Sequence, residues 1–159
     1  GEIYSGLSTQ GIAVVNLDMP YLEHWNAALT DKKVLTFGFH QEAMFRAKDI
    51  QLKADCSLFR LVTPSYEKEI RLPLPGEHHI RNALAAVACV YPLNISEEIV
   101  QQALEHFETM QGRQRQVIHP NGSVVIDDTY NANPGSMVAA IKVLAQFSGP
   151  KLFIMGDMA

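Results

Sequence analysis

The chain has 159 residues, of which 47% are hydrophobic and 19% charged, so it is long enough for one globular domain and too apolar for a disordered segment. Its 13 Lys and Arg against 17 Asp and Glu give a formal net charge of −4, which argues against nucleic-acid binding because such domains carry a basic surface. No apolar run is long enough to cross a bilayer, and two cysteines in separate segments indicate a reduced, cytosolic protein.

The first half of the chain predicts a mixed sheet. Residues 11–16, 21–29 and 34–39 have the apolar patterns of a strand, a helix and a strand, an order typical of a parallel sheet. Loosely alternating segments follow between short turns, which favours an antiparallel meander. Its three predicted strands are residues 47–52, 57–63 and 67–72.

Two helices are predicted next. Residues 78–90 carry apolar side chains at helical spacing, and Pro92 ends the pattern. Ser96 is a good N-cap for the second helix, with Glu97 and Glu98 in its first turn.

The last third predicts a hairpin and a further α/β unit. Asn121-Gly122 is a strong hairpin turn signal between two β-branched segments. Asn133-Pro134 has the residues of a helix N-cap and first helical position, and residues 151–155 read as a buried strand.

The predicted domain boundary divides the chain into residues 1–116 and residues 117–159. Because the chain begins at Gly1 without Met and stops just after that strand, we expect a piece of a longer polypeptide.

The first candidate site is the predicted start of the helix at residues 78–90. Gly76 leads into a helix N-terminus, where free backbone N–H groups favour anions and polar ligand edges. His78 and Asn82 are four residues apart and share a helix face. An Asn amide suits an adenine edge, but a capped amphipathic helix with polar residues toward solvent fits the same pattern.

The second candidate site follows the predicted strand that ends at Ile126. Asp127 and Asp128 lie where α/β proteins bind ligands, although a polar turn has the same composition.

Arg113 follows Gly112 and suits a site that binds phosphate or carboxylate, although a surface ion pair is an alternative explanation. A third strand end, at Asn16 and Asp18, fits a ligand site or a simple turn equally well. The His residues show no zinc spacing, and no Gly-rich loop ends in Gly-Lys-Ser/Thr.

At these motifs the chain resembles the Mur ligases along essentially its whole length. The segments that carry the resemblance are Gly1–Leu7, Leu74-Pro75-Gly76-Glu77-His78, Asn82-Ala83-Leu84-Ala85-Ala86, Gly112-Arg113, Asp127-Asp128-Thr129-Tyr130-Asn131-Ala132-Asn133-Pro134-Gly135-Ser136-Met137 and Gly156-Asp157-Met158-Ala159. Residues 127–133 are most similar to the branch that joins D-alanyl-D-alanine to UDP-N-acetylmuramoyl-tripeptide (UDP-MurNAc-tripeptide).

The resemblance implies a three-domain, ATP-dependent ligase of the bacterial cytoplasm that forms an acyl phosphate in peptidoglycan precursor synthesis. Residues 1–116 would be the later part of the central ATP-binding domain, an α/β unit whose mixed sheet contains the meander. Residues 117–159 would begin a Rossmann-like C-terminal domain. The phosphate-binding loop and the Mg²⁺ ligands would lie upstream, so this chain alone is expected to be catalytically inactive, with no catalytic residue or metal ligand of its own.

The resemblance also implies which residues contact ATP. Asn82 corresponds to the Asn that reads adenine, and His79 stands where the family usually has a second Asn. The remaining residues matched to the nucleotide are Arg113 at the domain junction, Asp128 at the ribose, and the flanking Tyr130 and Asn131. Two alternatives stay open: another Mur-like or folylpolyglutamate synthase-like amide ligase, and a non-catalytic α/β module that binds a nucleotide or a partner.

Overall fold

A computed structural model describes residues 2–156 of the chain. The strands of this part of the chain are β1 (Ile12–Asn16), β2 (Lys33–Gly38), β3 (Phe45–Leu52), β4 (Ser57–Val62), β5 (Glu67–Leu72), β6 (Arg115–Ile118) and β7 (Val124–Asp127). Its α-helices are α1 (Glu2–Ser5), α2 (Asn26–Leu29), α3 (Glu77–Val90), α4 (Glu97–Glu105) and α5 (Pro134–Ala145). None of the helices described is long and apolar enough to cross a membrane.

The main sheet has five strands in the order β1-β2-β3-β4-β5, which confirms the predicted mixed sheet. β1, β2 and β3 are parallel, and β3, β4 and β5 form the antiparallel meander. Parallel strands normally need a long crossover, yet only a short loop joins β2 to β3. The register explains this, because only Phe37 and Gly38 pair with Phe45 and Arg46, so β3 continues where β2 ends and no return path is needed.

Helix α3 covers this sheet and builds the core. Its buried residues are Ile80, Ala83, Leu84, Val87 and Ala88, which have the helical spacing predicted for residues 78–90. They pack against sheet residues such as Phe45, Phe59 and Leu61. Each large apolar side chain buried in this way stabilises the fold by about 1.5–3 kcal/mol, so the N-terminus of α3 is held on a rigid platform.

The hairpin of β6 and β7 forms a separate two-stranded sheet. The His119 N–H donates to the Ser123 carbonyl and the Gly122 N–H to the His119 carbonyl, so the loop includes Pro120 as well as the predicted Asn121-Gly122. Helix α5 begins as predicted. The Asn133 side chain accepts from the Ser136 N–H at 2.9 Å, and the Ser136 hydroxyl accepts from the Asn133 N–H at 3.0 Å, which is a capping box.

Two local predictions are wrong. Residues 151–155 form no strand, and Leu152, Ile154 and Met155 are exposed, because no neighbouring strand within residues 2–156 pairs with them. The predicted helix over residues 21–29 divides into a 3-10 turn, Leu22–Trp25, and the short helix α2. The final motif of the resemblance cannot be compared beyond Gly156, because Asp157, Met158 and Ala159 lie outside the described residues.

Candidate functional site

A tight turn places the N-terminus of α3. Gly76 has φ +106°, and a Cβ there would lie 2.8 Å from a ring carbon of His78, so this position requires glycine. The hydroxyl of the fully buried Ser57 donates to the Leu74 carbonyl at 2.7 Å and accepts from the Gly76 N–H at 3.1 Å. A residue of β4 therefore fixes the turn from which His78 and the rest of α3 project.

One buried amide gathers the polar side chains next to this turn. Gln114, which is 7% exposed, places its Oε1 3.0 Å from His79 Nε2 and its Nε2 3.1 Å from His78 Nε2. The same Nε2 donates to Asp128 Oδ2 at 3.4 Å. The two imidazole rings lie against each other with centroids 4.0 Å apart. The structure thus brings together His79 and Asp128, which the resemblance assigns to ATP, through a residue that no motif contains.

Both histidines of this cluster favour the neutral form. The pKa of His78 is lowered to about 4, mainly by burial and also by the neighbouring His79 and Arg81, while the hydrogen bond to Gln114 opposes these effects. Burial also lowers the pKa of His79, against the opposing effects of Gln114 and Asp128. At neutral pH these rings therefore act as hydrogen-bonding groups without charge.

A second pair of predicted residues forms an exposed stack beside the cluster. The guanidinium carbon of Arg113 lies 4.0 Å from the centroid of the Tyr130 ring. The Tyr130 N–H donates to the Gly112 carbonyl at 3.0 Å, which holds the loop after β7 against the segment before β6. Gly112 has φ +76°, and its Cα faces Tyr130 so closely that a Cβ would lie 3.2 Å from the Tyr130 nitrogen.

The two adjacent carboxylates after β7 have different roles. Asp127 accepts from the Thr129 hydroxyl at 2.7 Å and from the Gly112 N–H at 3.2 Å. These hydrogen bonds, above all the one from Thr129, lower its pKa. Asp127 therefore shapes the loop. Asp128 receives only the long hydrogen bond from Gln114 among the described residues, so most of its acceptor capacity is available to a ligand.

The two predicted asparagines are not joined to the Gln114 cluster. Asn82 is exposed on α3, and its position three residues after His79 puts it on the same helix face. Asn131 is exposed as well, and its side chain accepts from the Ala132 N–H at 2.8 Å, which is a local turn. Asn82 thus presents a free polar edge near the cluster, whereas Asn131 shapes its own loop.

The strand-end candidate at Asp18 serves as a structural link. Its carboxylate accepts from the Phe39 N–H at 2.9 Å, from the His40 N–H at 3.1 Å and from Arg81 Nε at 3.2 Å. The Asp18 N–H itself donates to Asn16 Oδ1 at 2.9 Å, as expected of a turn. These bonds tie the end of β2 to α3 and leave the carboxylate little capacity for a ligand.

The sequence alone does not reveal Gln114. It lies outside the matched motifs, and its only signals are its position directly after Gly112-Arg113 and its polar side chain next to a predicted strand. Its left-handed backbone, with φ +53°, becomes visible only in the structure. Within residues 2–156 no three His, Cys, Asp or Glu side chains come together as metal ligands.

Residues 1–90 match the Mur ligase middle domain, and the chain belongs to the Mur ligase family. A UDP-N-acetylmuramoyl-tripeptide–D-alanyl-D-alanine ligase from Buchnera aphidicola subsp. Baizongia pistaciae is 39% identical, covering 99% of this chain and 34% of that protein. The Escherichia coli (strain K12) ligase of the same name is 36% identical, covering 100% of this chain and 35% of that protein.

Among solved structures, MurF from Acinetobacter baumannii superposes with a TM-score of 0.92 at 36% identity, over 99% of this chain and 34% of that chain. The α/β fold with its mixed five-stranded sheet is therefore that of the corresponding part of MurF. The chain spans about a third of the length of the curated relatives it matches.

Proposed function

We propose that this chain supplies the adenosine side of the ATP site in a ligase that joins D-alanyl-D-alanine to UDP-MurNAc-tripeptide. This reaction belongs to peptidoglycan precursor synthesis in the bacterial cytoplasm. The main support is that His79 and Asp128, two residues matched to ATP, meet around the Gln114 amide. The substrate assignment is supported by the similarity of the chain to two UDP-N-acetylmuramoyl-tripeptide–D-alanyl-D-alanine ligases, at 39% and 36% identity.

The described residues fit the nucleoside part of ATP. The exposed Asn82 amide has the acceptor and donors that an adenine edge requires. Asp128 has free acceptor capacity for ribose hydroxyls, and Arg113, stacked on Tyr130, presents an exposed cation to phosphate oxygens. Bound ATP supplies the phosphoryl group that activates a carboxylate, and the task of these side chains is to bind and orient the nucleotide.

The described residues do not fit Mg²⁺, because no three of their acidic, His or Cys side chains converge. We therefore assign no step to a metal in this part of the protein. The resemblance assigns Mg²⁺ and the phosphate-binding loop to residues upstream of Gly1. A protein that contains only these 159 residues is expected to bind the nucleoside without turning over ATP.

We also propose that the domain boundary lies near residue 117. Residues 1–116 contain the five-stranded sheet with its covering helices, and 117–159 begin within the hairpin sheet. The Gln114 cluster lies just before this boundary and contacts Asp128 just after it. On this proposal the nucleotide binds where the two parts meet, and the second part begins the Rossmann-like domain.

The decisive experiment uses the product of the complete reading frame. We expect phosphate release from ATP only when UDP-MurNAc-tripeptide and D-alanyl-D-alanine are both present. A preference for a single amino acid as acceptor would instead assign the chain to a sister Mur ligase or a folylpolyglutamate synthase-like enzyme. Binding of ATP without turnover by the complete product would favour the non-catalytic module.

A further inference from the structure

We propose that Gln114 is a positioning residue of the nucleotide site, whose amide fixes the ring tautomers of His78 and His79 and ties Asp128 to the start of α3. This inference rests on the proposed nucleotide-binding function. It begins from the geometry of one amide with three neighbours: His79 at 3.0 Å, His78 at 3.1 Å and Asp128 at 3.4 Å.

The Asp128 carboxylate can only accept hydrogen bonds, and this sets the orientation of the Gln114 amide. Ionised Asp128 can only accept, so the Gln114 group that faces it must be the NH₂. The opposite orientation would place the amide oxygen against a carboxylate oxygen. The Gln114 oxygen is thereby directed to His79, and its NH₂ group has one N–H for Asp128 and one for His78.

The amide orientation in turn sets both imidazole tautomers. Because Gln114 Oε1 accepts, His79 Nε2 must carry the proton, which leaves His79 Nδ1 as an acceptor. Because Gln114 Nε2 donates, His78 Nε2 must be unprotonated, and the His78 proton lies on Nδ1. The network requires an unprotonated Nε2 on His78, so the His78 ring is neutral, and burial favours the neutral form of both histidines.

The backbone of Gln114 indicates that the surroundings hold it in place. Its φ of +53° lies in the left-handed region, which is unfavourable for a non-glycine residue. Burial of an amide costs free energy as well, unless all of its polar groups are paired. Gln114 is 7% exposed and pairs both amide atoms, so the three partners offset both costs.

The consequence for the nucleotide site is preorganisation. His79 projects from α3 and Asp128 from the loop after β7, on opposite sides of the proposed domain boundary. Through Gln114 the two side chains form one unit, in which His79 keeps an Nδ1 acceptor and Asp128 keeps a free oxygen. A nucleoside that contacts both therefore finds them already oriented, which reduces the entropy lost on binding.

The tautomers are tested directly by NMR on the 159-residue chain without any ligand. Long-range ¹H–¹⁵N correlation spectra distinguish the two neutral forms of each imidazole. At pH 7.5 we expect the Nε2–H form for His79 and the Nδ1–H form for His78. The opposite assignment for either ring, or a mixture of the two forms in both rings, overturns the proposal. Because no nucleotide is present, this result is independent of the proposed function.

The effect on the site is tested with variants and ATP titrations. Gln114→Met keeps the side-chain length but removes all three hydrogen bonds, and we expect ATP affinity to fall about tenfold. Gln116→Met is the matched control, because the Gln116 amide donates to the Ala54 carbonyl at 2.9 Å, away from the cluster. We expect Gln116→Met to leave ATP affinity within twofold of the unchanged protein.

A third variant separates positioning from a general loss of packing. Gln114→Glu keeps the shape but replaces the NH₂ with an acceptor and places a second carboxylate against Asp128, so the cluster gains from taking up a proton. The charged and titratable groups facing the rings are Asp128 and Arg81, and both are unchanged in this variant. Between pH 8 and pH 5.5 we expect ATP affinity to rise for Gln114→Glu as pH falls, and to stay level or fall for wild type.

The outcomes distinguish the two proposals. Parallel pH profiles for wild type and Gln114→Glu, or equal ATP affinity for Gln114→Met and wild type, overturn the role of Gln114. The absence of ATP binding by the wild-type chain and by the complete reading-frame product overturns the proposed function. The predicted tautomers, together with opposite pH profiles, support the positioning role.

Discussion

The guanidinium carbon of Arg113 lies over the Tyr130 ring, 4.0 Å from the ring centroid. Both side chains are exposed, so the stack adds only about 0.5–1 kcal/mol to stability. Its larger effect is to orient a cation whose side chain otherwise has many rotamers.

Removal of the Tyr130 ring is expected to weaken the binding of ATP more than the binding of adenosine. In Tyr130→Ala the Arg113 guanidinium loses the ring on which it packs. Because Arg113 is proposed to contact phosphate, we expect ATP to bind roughly threefold more weakly. Tyr130→Phe keeps the ring and is expected to bind ATP like wild type. Calorimetric titrations with ATP and with adenosine measure both effects, and an equal loss for the two ligands would argue that Tyr130 contacts the nucleoside itself.

The two neighbouring carboxylates are expected to respond differently to substitution. Asp128→Ala removes a proposed acceptor for the ribose hydroxyls. The binding free energies of ATP and of adenosine should both weaken by roughly 1.5–3 kcal/mol. Asp127→Ala removes the carboxylate that accepts from Gly112 and Thr129, so we expect a lower melting temperature as its main effect. Binding isotherms and thermal unfolding of both variants test the distinction. Unchanged nucleotide affinity in Asp128→Ala would exclude Asp128 from the site.

Stability is expected to fall in mild acid because of His78. Its pKa is about 4 in the folded chain and 6.5 in an unfolded one, so between these values the unfolded state binds more protons. The free energy of unfolding should therefore be greatest above about pH 6.5 and decrease as the pH falls toward 4. For a single group the slope cannot exceed about 1.4 kcal/mol per pH unit, and His79 acts in the same direction.

Urea denaturation at several pH values between 7.5 and 4.5 measures this loss. His78→Gln removes the titrating ring and should flatten the dependence above pH 5, where carboxylates contribute little. His119→Gln is the control, since His119 lies on the exposed hairpin. A His78→Gln variant with the same pH dependence as wild type would show that His78 titrates normally.

The elements that local patterns determine are predicted well from the sequence. The meander, α3 and the cap at Asn133 follow from alternation, helical spacing and turn chemistry, all of which involve near neighbours. The strand predicted at residues 151–155 is wrong because a strand requires a partner, and its apolar composition carries no information on whether one is present.

The candidate site shows the same limit. Motif and resemblance identify His79 at a helix start, and Asp128 and Tyr130 after a strand end, as candidates. Arg113 is identified by its position directly after Gly112. Gln114 is not found, because its role depends on three side chains that are distant in sequence and meet only after folding. Asp18 is ambiguous in the sequence for a related reason, as its partners Phe39 and Arg81 lie on other elements.

The turn at Gly76 provides a final prediction with a built-in control. Gly76 and Gly122 both have positive φ, +106° and +84°, but a Cβ at Gly76 would lie 2.8 Å from the His78 ring, whereas at Gly122 it would meet nothing within 4 Å. Gly122→Ala therefore reports backbone strain alone and should cost about 1 kcal/mol. Gly76→Ala adds displacement of the His78 ring and crowding of Val143 Cγ2 at 3.2 Å, so we expect about 1–3 kcal/mol of further destabilisation together with weaker ATP binding. Chemical denaturation of both variants gives the comparison. Equal losses would show that the His78 ring moves aside freely, and that its position does not depend on this turn.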